Sequence, residues 1–363
     1  MTIDTHPNTP LSWLSVSLVT GEVIAELPDL QCDSIEYHLM EGCTADAALP
    51  WDNIPDNWFD ALLPGGVALL LVRDEEPLWG GIVTDMQRDA DGPSIALKLE
   101  TIEAYLDSCP VGDKTYTQSL QTEIGRDIVQ KWAIDGMRNC LVATADDSDQ
   151  RRDRTYQDQD DKSVLSAIQE LAGIEDGPEW GSWWERQDDG SYRCHIHFSD
   201  HYGATEPVTE FSLPQTTQFQ LDYQFGKDTG ATRVRAVSTA DGDTRPSSGW
   251  IISPDPYRPV WSLTFTPSTS ITDIEQLTGH ATAKSISVKD GAKPVNIVLD
   301  LLTAPKLGVE WTPGDMVRWD IDYTSDRFPD LSEGVMRIIG YKIEWSGSWT
   351  ITPITQKEAT DGQ

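Results

Sequence analysis

The sequence predicts a mainly β protein with α+β insertions, organised around two β-barrel or sandwich modules near the two ends of the chain. Three observations lead there. Period-two alternation of apolar and polar residues, broken by turn residues at short intervals, fills both ends of the sequence. Helical spacing of apolar residues is confined to a few stretches between them. A pattern over residues 62–86 has a counterpart over 311–345.

Residues 11–105 read as β. Leu14 to Val19 alternates, Thr20-Gly21 makes a turn, and Val23 to Leu27 follows. Ser34 to Leu39 alternates again, and Asn57 to Leu63 predicts one short helix. The first module then reads Leu62-Leu-Pro-Gly-Gly-Val-Ala-Leu-Leu-Leu-Val72, an acidic turn, and Leu78-Trp-Gly-Gly-Ile-Val-Thr-Asp-Met86. An alternating run, Ser94 to Ile102, closes it.

Residues 106–205 change character. Thr122 to Ile134 places Ile124, Ile128, Val129 and Trp132 on one helical face. A charged run from Ala145 to Lys162 follows. Ser163 to Ala172 predicts a second helix, with Asp161 or Ser163 as its cap and Gly173 as its end. A strand pair rich in tryptophan (Trp180, Trp183, Trp184) leads to Tyr192–Phe198.

Residues 206–363 return to β. Phe219 to Phe225, Arg233 to Val237 and Val260 to Phe265 alternate. Thr272-Asp-Ile-Glu275 fits a capping box heading a short helix through Leu277 and Ala281. The second module reads Trp311-Thr-Pro-Gly-Asp-Met-Val-Arg-Trp-Asp-Ile321, a polar excursion, and Met336-Arg-Ile-Ile-Gly-Tyr-Lys-Ile-Glu-Trp345, closed by Ser348 to Thr355. These boundaries predict a first β domain over 1–107 and an inserted α+β domain over 108–205. A second β domain draws on 206–240 and 295–357, with a small one-helix insertion over 241–294 and a polar tail over 358–363.

The chain has 363 residues and a net charge of −33, from 60 acidic and 27 basic side chains. No basic footprint exists for the outside of a nucleic acid duplex or an anionic membrane. An acidic wall instead repels a passing polyanion and keeps it from sticking. Acidity of this size also maintains solubility in salt-loving proteins. No apolar run approaches the length that spans a bilayer. Met1-Thr-Ile-Asp-Thr-His-Pro7 has no secretory pattern. Five cysteines, 32, 43, 109, 140 and 194, show no CxxC spacing, so buried reduced thiols are expected and no disulfide framework or zinc site.

Chemistry-bearing patterns are few. His195 and His197 share a strand face near Asp200 and His201, but spacing provides no third metal ligand, and solvent-facing strand residues are the expectation. The runs Asp146–Asp149 and Gln157–Asp161 lack the glycine and bidentate glutamate of a calcium loop. No catalytic or nucleotide-binding motif appears, so no metal, cofactor or catalytic residue is expected. Fourteen tryptophans, clustered at 51–79, 180–184 and 311–349, point first to core and interface packing and second to sugar stacking.

In order, Leu63-Pro-Gly-Gly66, Pro77-Leu-Trp-Gly-Gly-Ile-Val83, Leu99–Leu106, Arg154–Leu165, Gln169–Gly173 and Gly177–Trp180 resemble the minor tail proteins of long-tailed phages, especially those of actinobacterial hosts. Those proteins are similar to the tail-tip, or baseplate, hub. The resemblance implies two tail-tube-like β domains per chain with smaller domains inserted. It implies a homotrimeric ring that adapts a sixfold tube to a threefold tip and lets DNA through without binding it specifically. Implied partners are tail tube and distal tail proteins, tip or fibre proteins and the tape measure protein. The implied location is the distal tail tip of the virion, after assembly in the host cytoplasm. On this reading the chain is not an enzyme, and the positions that matter are structural: Pro64, Gly65 and Gly81 in one module, Pro313, Gly314 and Gly340 in the other. A carbohydrate-binding receptor-recognition protein is the alternative, with a cell-wall hydrolase behind it.

Overall fold

The computed structural model describes residues 11–89, 91–138, 140–174, 176–226, 229–238, 245–267, 273–291, 294–320, 333–345 and 349–355. The fold is mainly β, with one sheet curled into a half-barrel. The described chain forms two compact units. One runs through Thr217 and resumes from Val298 to Thr355, and the other spans 218–297.

The first hundred residues contribute β1 (Leu11–Ser17), β2 (Val23–Glu26), β3 (Gln31–Cys32), β4 (Ser34–His38), β5 (Thr44–Pro50), β6 (Val67–Arg73), β7 (Glu76–Arg88) and β8 (Ser94–Glu100). All except β4 build an antiparallel sheet in the order β2-β1-β6-β7-β8-β5-β3. The apolar run Val67–Val72 is buried on both faces, which explains why it does not alternate. β8 does alternate, because only one of its faces is covered. The acidic turn is a two-residue hairpin loop, with Asp74 and Glu75 both at positive φ, matching the twist of the strands it joins. The short helix α1 (Trp58–Ala61) lies where alternation stops.

An α+β segment follows: α2 (Glu103–Ser108), β9 (Lys114–Leu120), α3 (Gln121–Asp135), β10 (Leu141–Ala145), β11 (Arg151–Tyr156), α4 (Val164–Ala172), β12 (Glu179–Arg186) and β13 (Tyr192–Ser199). The charged run is not all loop, since β11 within it pairs with β9. That ribbon is largely solvated on both sides, so it carries no apolar period to read. Ser163 caps α4 by accepting a hydrogen bond from the Ser166 N–H at 3.1 Å. Gly173 ends the helix, but at φ −76°, not in the left-handed conformation associated with glycine ends. One continuous core joins this segment to the first sheet, with Val16 and Leu70 in the same cluster as Ile128, Trp184 and Phe198.

The chain continues through β14 (Glu210–Ser212), β15 (Thr216–Leu221), β16 (Arg233–Ala236), β17 (Ile251–Ile252), β18 (Ser262–Phe265), α5 (Ile274–Val288), β19 (Val295–Asp300), β20 (Met316–Asp320), β21 (Glu333–Glu344) and β22 (Thr350–Thr355). β20, β21 and β22 form an antiparallel meander like that of β6, β7 and β8. Each meander continues into an earlier antiparallel strand, β19 beside β22 and β5 beside β8. β15 stops at Leu221, short of the expected Phe225.

In the unit spanning 218–297, β16 lies between β17 and β18, and α5 packs on one face through Leu277, Ala281 and Val288. The helix cap is Asp273, which accepts from the Glu275 N–H, while Thr272 lies outside the described residues. The helix runs beyond Ala281 because Ser285 and Val288 extend its buried face.

Removing the α4 cap with Ser163→Ala is expected to lower stability by about 1 kcal/mol, and Ser163→Thr much less. A shifted urea midpoint at unchanged slope checks this.

Candidate functional site

The two β modules are locked to each other by a strand exchange. β21 pairs with β20 along its first half and with β4 along its second, so a strand from the N-terminal region completes the C-terminal sheet. At the centre of that pairing Tyr37 faces Tyr341, their rings stacked at 5.7 Å. Both are buried, and burial pushes both hydroxyls up, so they stay neutral. Each hydroxyl has a partner: Tyr341 donates to the Leu78 carbonyl, and Tyr37 accepts from the Ser182 N–H at 2.8 Å. Trp79 Nε1 donates to the Glu36 carbonyl at 2.9 Å, and Trp13 packs against both Trp79 and Trp345. Such a cluster supplies large apolar burial with every named hydroxyl satisfied.

Five of the six positions singled out in the sequence fall at turns or at this seam. Leu63, Pro64, Gly65 and Gly66 form a turn closed by the Gly66 N–H on the Leu63 carbonyl, with Gly65 at φ +69°. Thr312, Pro313, Gly314 and Asp315 repeat it, with the Asp315 N–H on the Thr312 carbonyl and Gly314 at φ +104°. Proline second and a positive-φ glycine third is the arrangement of a type II turn. Gly340 sits on β21 opposite His38, where a Cβ would stand 2.2 Å from the Tyr37 carbonyl oxygen. Gly81, the sixth, lies on β7 away from the seam, where a Cβ would stand 2.4 Å from the Trp79 ring.

The sequence reading missed the ion pair that fastens the α+β segment to the second module. Arg337 on β21 grips Glu179 on β12 in two parallel hydrogen bonds, at 2.7 and 2.5 Å. The same guanidinium donates to the carbonyls of Gly314 and Tyr202. Burial raises the Glu179 carboxyl, but hydrogen bonds from Arg337 and the Tyr202 N–H, with the arginine charge, outweigh it and hold it below the ordinary range.

Beside the seam opens a cavity of about 530 Å³. Tyr37, Trp79, Trp184 and Tyr341 line its buried parts, and Trp183, Glu76 and Glu185 are more exposed lining residues. Trp183 is 40% exposed and stacks on His195 at 5.1 Å. Among the described residues, no lysine, arginine or histidine lines the cavity. Behind the wall, Ser182 donates to the buried Glu103 carboxyl, which burial raises above its ordinary range. Aromatic faces with carboxylates suit a ligand with an apolar body and hydrogen-bond donors.

The histidines do not converge on a metal. His195 lies 2.8 Å from Glu185, a close ion-pair distance without hydrogen-bond alignment. His197 contacts Asp146 and Thr144, and His201 lies 3.8 Å from Glu179. Among the described residues no group of three or more His, Cys, Asp or Glu could hold a metal ion. All five cysteines are buried and unpaired, and burial raises every thiol, to about 12 at Cys32 and Cys43. No helix among the described residues is long and apolar enough to cross a membrane.

No protein-family model and no curated protein sequence matches the chain. Solved structures do match in three dimensions, among them two tail proteins. A tail protein from Neisseria meningitidis MC58 superposes with a TM-score of 0.56 and 14% identity, covering 96% of this chain and 97% of that one. The 43 kDa tail protein of prophage MuSo2 from Shewanella oneidensis superposes with a TM-score of 0.58 and 10% identity, covering 97% and 100%. The resemblance read from the sequence is met at the level of fold.

Removing one partner of the seam ion pair, as in Arg337→Ala, is expected to cost up to about 3 kcal/mol, because a partly buried carboxylate loses its counter-charge. A carboxyl held low contributes stability above its unfolded-state value and loses it as pH falls through the depressed one. Wild-type melting temperature should therefore drop more steeply below the ordinary value of 4.5 than that of Glu179→Gln.

Proposed function

We propose that this protein is a structural component of a phage tail, a hub whose three copies form a ring closing the distal end of the tail tube. The observation that carries the reading is internal duplication. Two antiparallel meanders, each entered through a Pro-Gly turn, are joined in one chain by the β4–β21 pairing. Three such chains offer six tube-like modules, which suits an adaptor between a sixfold tube and a threefold tip. The likeness to two tail proteins over nearly their whole length supports the same reading. Tube-like domains over 1–107 and over 206–240 with 295–357, carrying insertions at 108–205 and 241–294, would form the ring and its outer contacts.

In this role the chain works by shape and contact, without catalysis. Its partners are further copies of itself, the tail tube and distal tail proteins, the tape measure protein and the tip or fibre proteins. The charge of −33 suits a wall past which DNA slides during ejection without adhering. The protein would be located at the distal tip of the virion tail.

The measurement that tests this is the mass of the purified protein with class averages from negative stain. Three times 40.3 kDa, with a threefold ring and a central hole, is the expected result. A compact monomer, alone and when mixed with tail tubes, would remove the hub reading. Gly81→Val should block ring formation, because its side chain meets the Trp79 ring and the Leu99 Cβ inside the first sheet.

A second reading, saccharide recognition at the tail tip, is favoured by one observation. Trp183 presents an exposed aromatic surface at a cavity that also has Glu185 on its wall. A glycan array on which wild type binds and Trp183→Ala does not would establish it, and an array without hits would dismiss it.

A further inference from the structure

The 218–297 unit differs in charge from the rest of the chain. Its 80 residues carry eight basic and eight acidic side chains, so the whole acidic excess of 33 lies elsewhere. Among the described residues of this unit, α5 covers one face of its three-stranded sheet. Along β16 the burial alternates: Val234 and Ala236 point to α5, while Arg233 and Arg235 point away from it. The register puts Ile252 of β17 and Ser262 of β18 on either side of Arg233. The second face of this sheet is therefore polar and aromatic, and no helix among the described residues of this unit lies over it.

That face is cationic. The Arg233 and Arg235 guanidinium carbons lie 4.4 and 4.8 Å from the Trp250 ring centroid. Arg233 donates to the Ser262 hydroxyl at 2.7 Å, and Arg235 Nε is buried without a partner among the described residues. Neither arginine meets a carboxylate among those residues. The same unit exposes large apolar groups: Ile252 is 68% exposed, Val260 70% and Tyr257 94%. Arginine, tryptophan and tyrosine are the residues that dominate protein contacts.

We propose that this Arg–Trp face docks onto the acidic surface of a second copy of the chain. The argument for that occupant is charge complementarity: the arginines lack counter-charges in their own sheet, and the chain carries its surplus carboxylates on its other unit. A contact between unlike surfaces of identical copies is head-to-tail, and such contacts close into a ring when the rotation from copy to copy closes. The proposal rests on the ring reading above and identifies the contact that would close it. A passing polyanion is a poorer occupant, because the other 283 residues repel it.

The test is sedimentation equilibrium of the full chain from 0.05 to 1 M NaCl. It compares wild type, the double variant Arg233→Glu/Arg235→Glu, Ile252→Glu and the control Arg258→Glu, whose arginine pairs with Asp255 instead. Wild type should associate and weaken as salt rises. The double variant should associate about 100-fold more weakly at low salt with an unchanged melting temperature. Ile252→Glu, at a side chain already in water, should also weaken association, and Arg258→Glu should leave it intact. If the double variant fails to fold, Ile252→Glu alone decides. Wild-type rings that survive both changes overturn this contact and leave the hub reading standing. Salt-sensitive association that both variants abolish, but that images as open chains, supports the contact and overturns the ring. Wild type that never associates overturns this contact, and the hub reading then stands or falls on the mixture with tail tubes.

Discussion

The pairing of β4 with β21 is the constraint on which the rest of the larger unit depends. A strand five residues long leaves the sheet of its sequence neighbours and pairs with a strand about three hundred residues later in the chain. Its backbone hydrogen bonds and the stacked Tyr37 and Tyr341 convert two half-open β modules into one body. Gly340 is required there because the Tyr37 carbonyl occupies the space that any side chain would need. Gly81 plays the matching part within the first sheet, beneath the Trp79 ring whose Nε1 reaches the Glu36 carbonyl on β4. Small residues thus stand where the architecture brings backbone or ring into contact, and the Trp79 indole N–H and the Tyr341 hydroxyl donate to carbonyls across the same seam, whereas the indole N–H groups of Trp13 and Trp345 have no partner among the described residues.

The cavity is a by-product of that arrangement that has kept its chemistry. Its walls come from β4, β7, β12 and β21 and from the loop carrying Gly308 and Val309. Arg337 and Glu179 hold β12 against β21 just behind it, and the Gly314 turn is tied to the same guanidinium. A rigid wall is what a recognition site needs, since little ordering entropy remains to be lost on binding.

How much of this could be read in the chain differs by kind of feature. Both Pro-Gly turns were legible because a type II turn demands those two residues in that order. The α3 and α4 helices were legible from the spacing of Ile124, Ile128 and Val129, and of Val164, Ile168 and Leu171. β4 was legible as a strand, but alternation reports that one face is covered and not which sheet covers it. β5 went unread because Ala45, Ala47 and Ala48 give little apolar contrast, and β11 because a solvated ribbon has none. The cavity was illegible for another reason. Residues 37, 79, 183, 202 and 341 share no motif, and only the seam brings them together.

The charge pattern has two scales, and they ask for different explanations. Over the whole chain, 60 carboxylates keep copies and polyanions apart at long range. Within the 218–297 unit the balance is neutral, and the exposed side chains are those that hold partners at short range. A salt-adapted protein would spread its acidity to keep every surface hydrated, and a neutral unit with exposed Ile252, Tyr257 and Val260 departs from that design. Long-range repulsion combined with one unshielded cationic and apolar face suits a molecule that must remain apart until a matching surface arrives. Under that division of labour, orientation is selected before contact is made, because the face can approach an acidic surface but two acidic surfaces cannot approach each other.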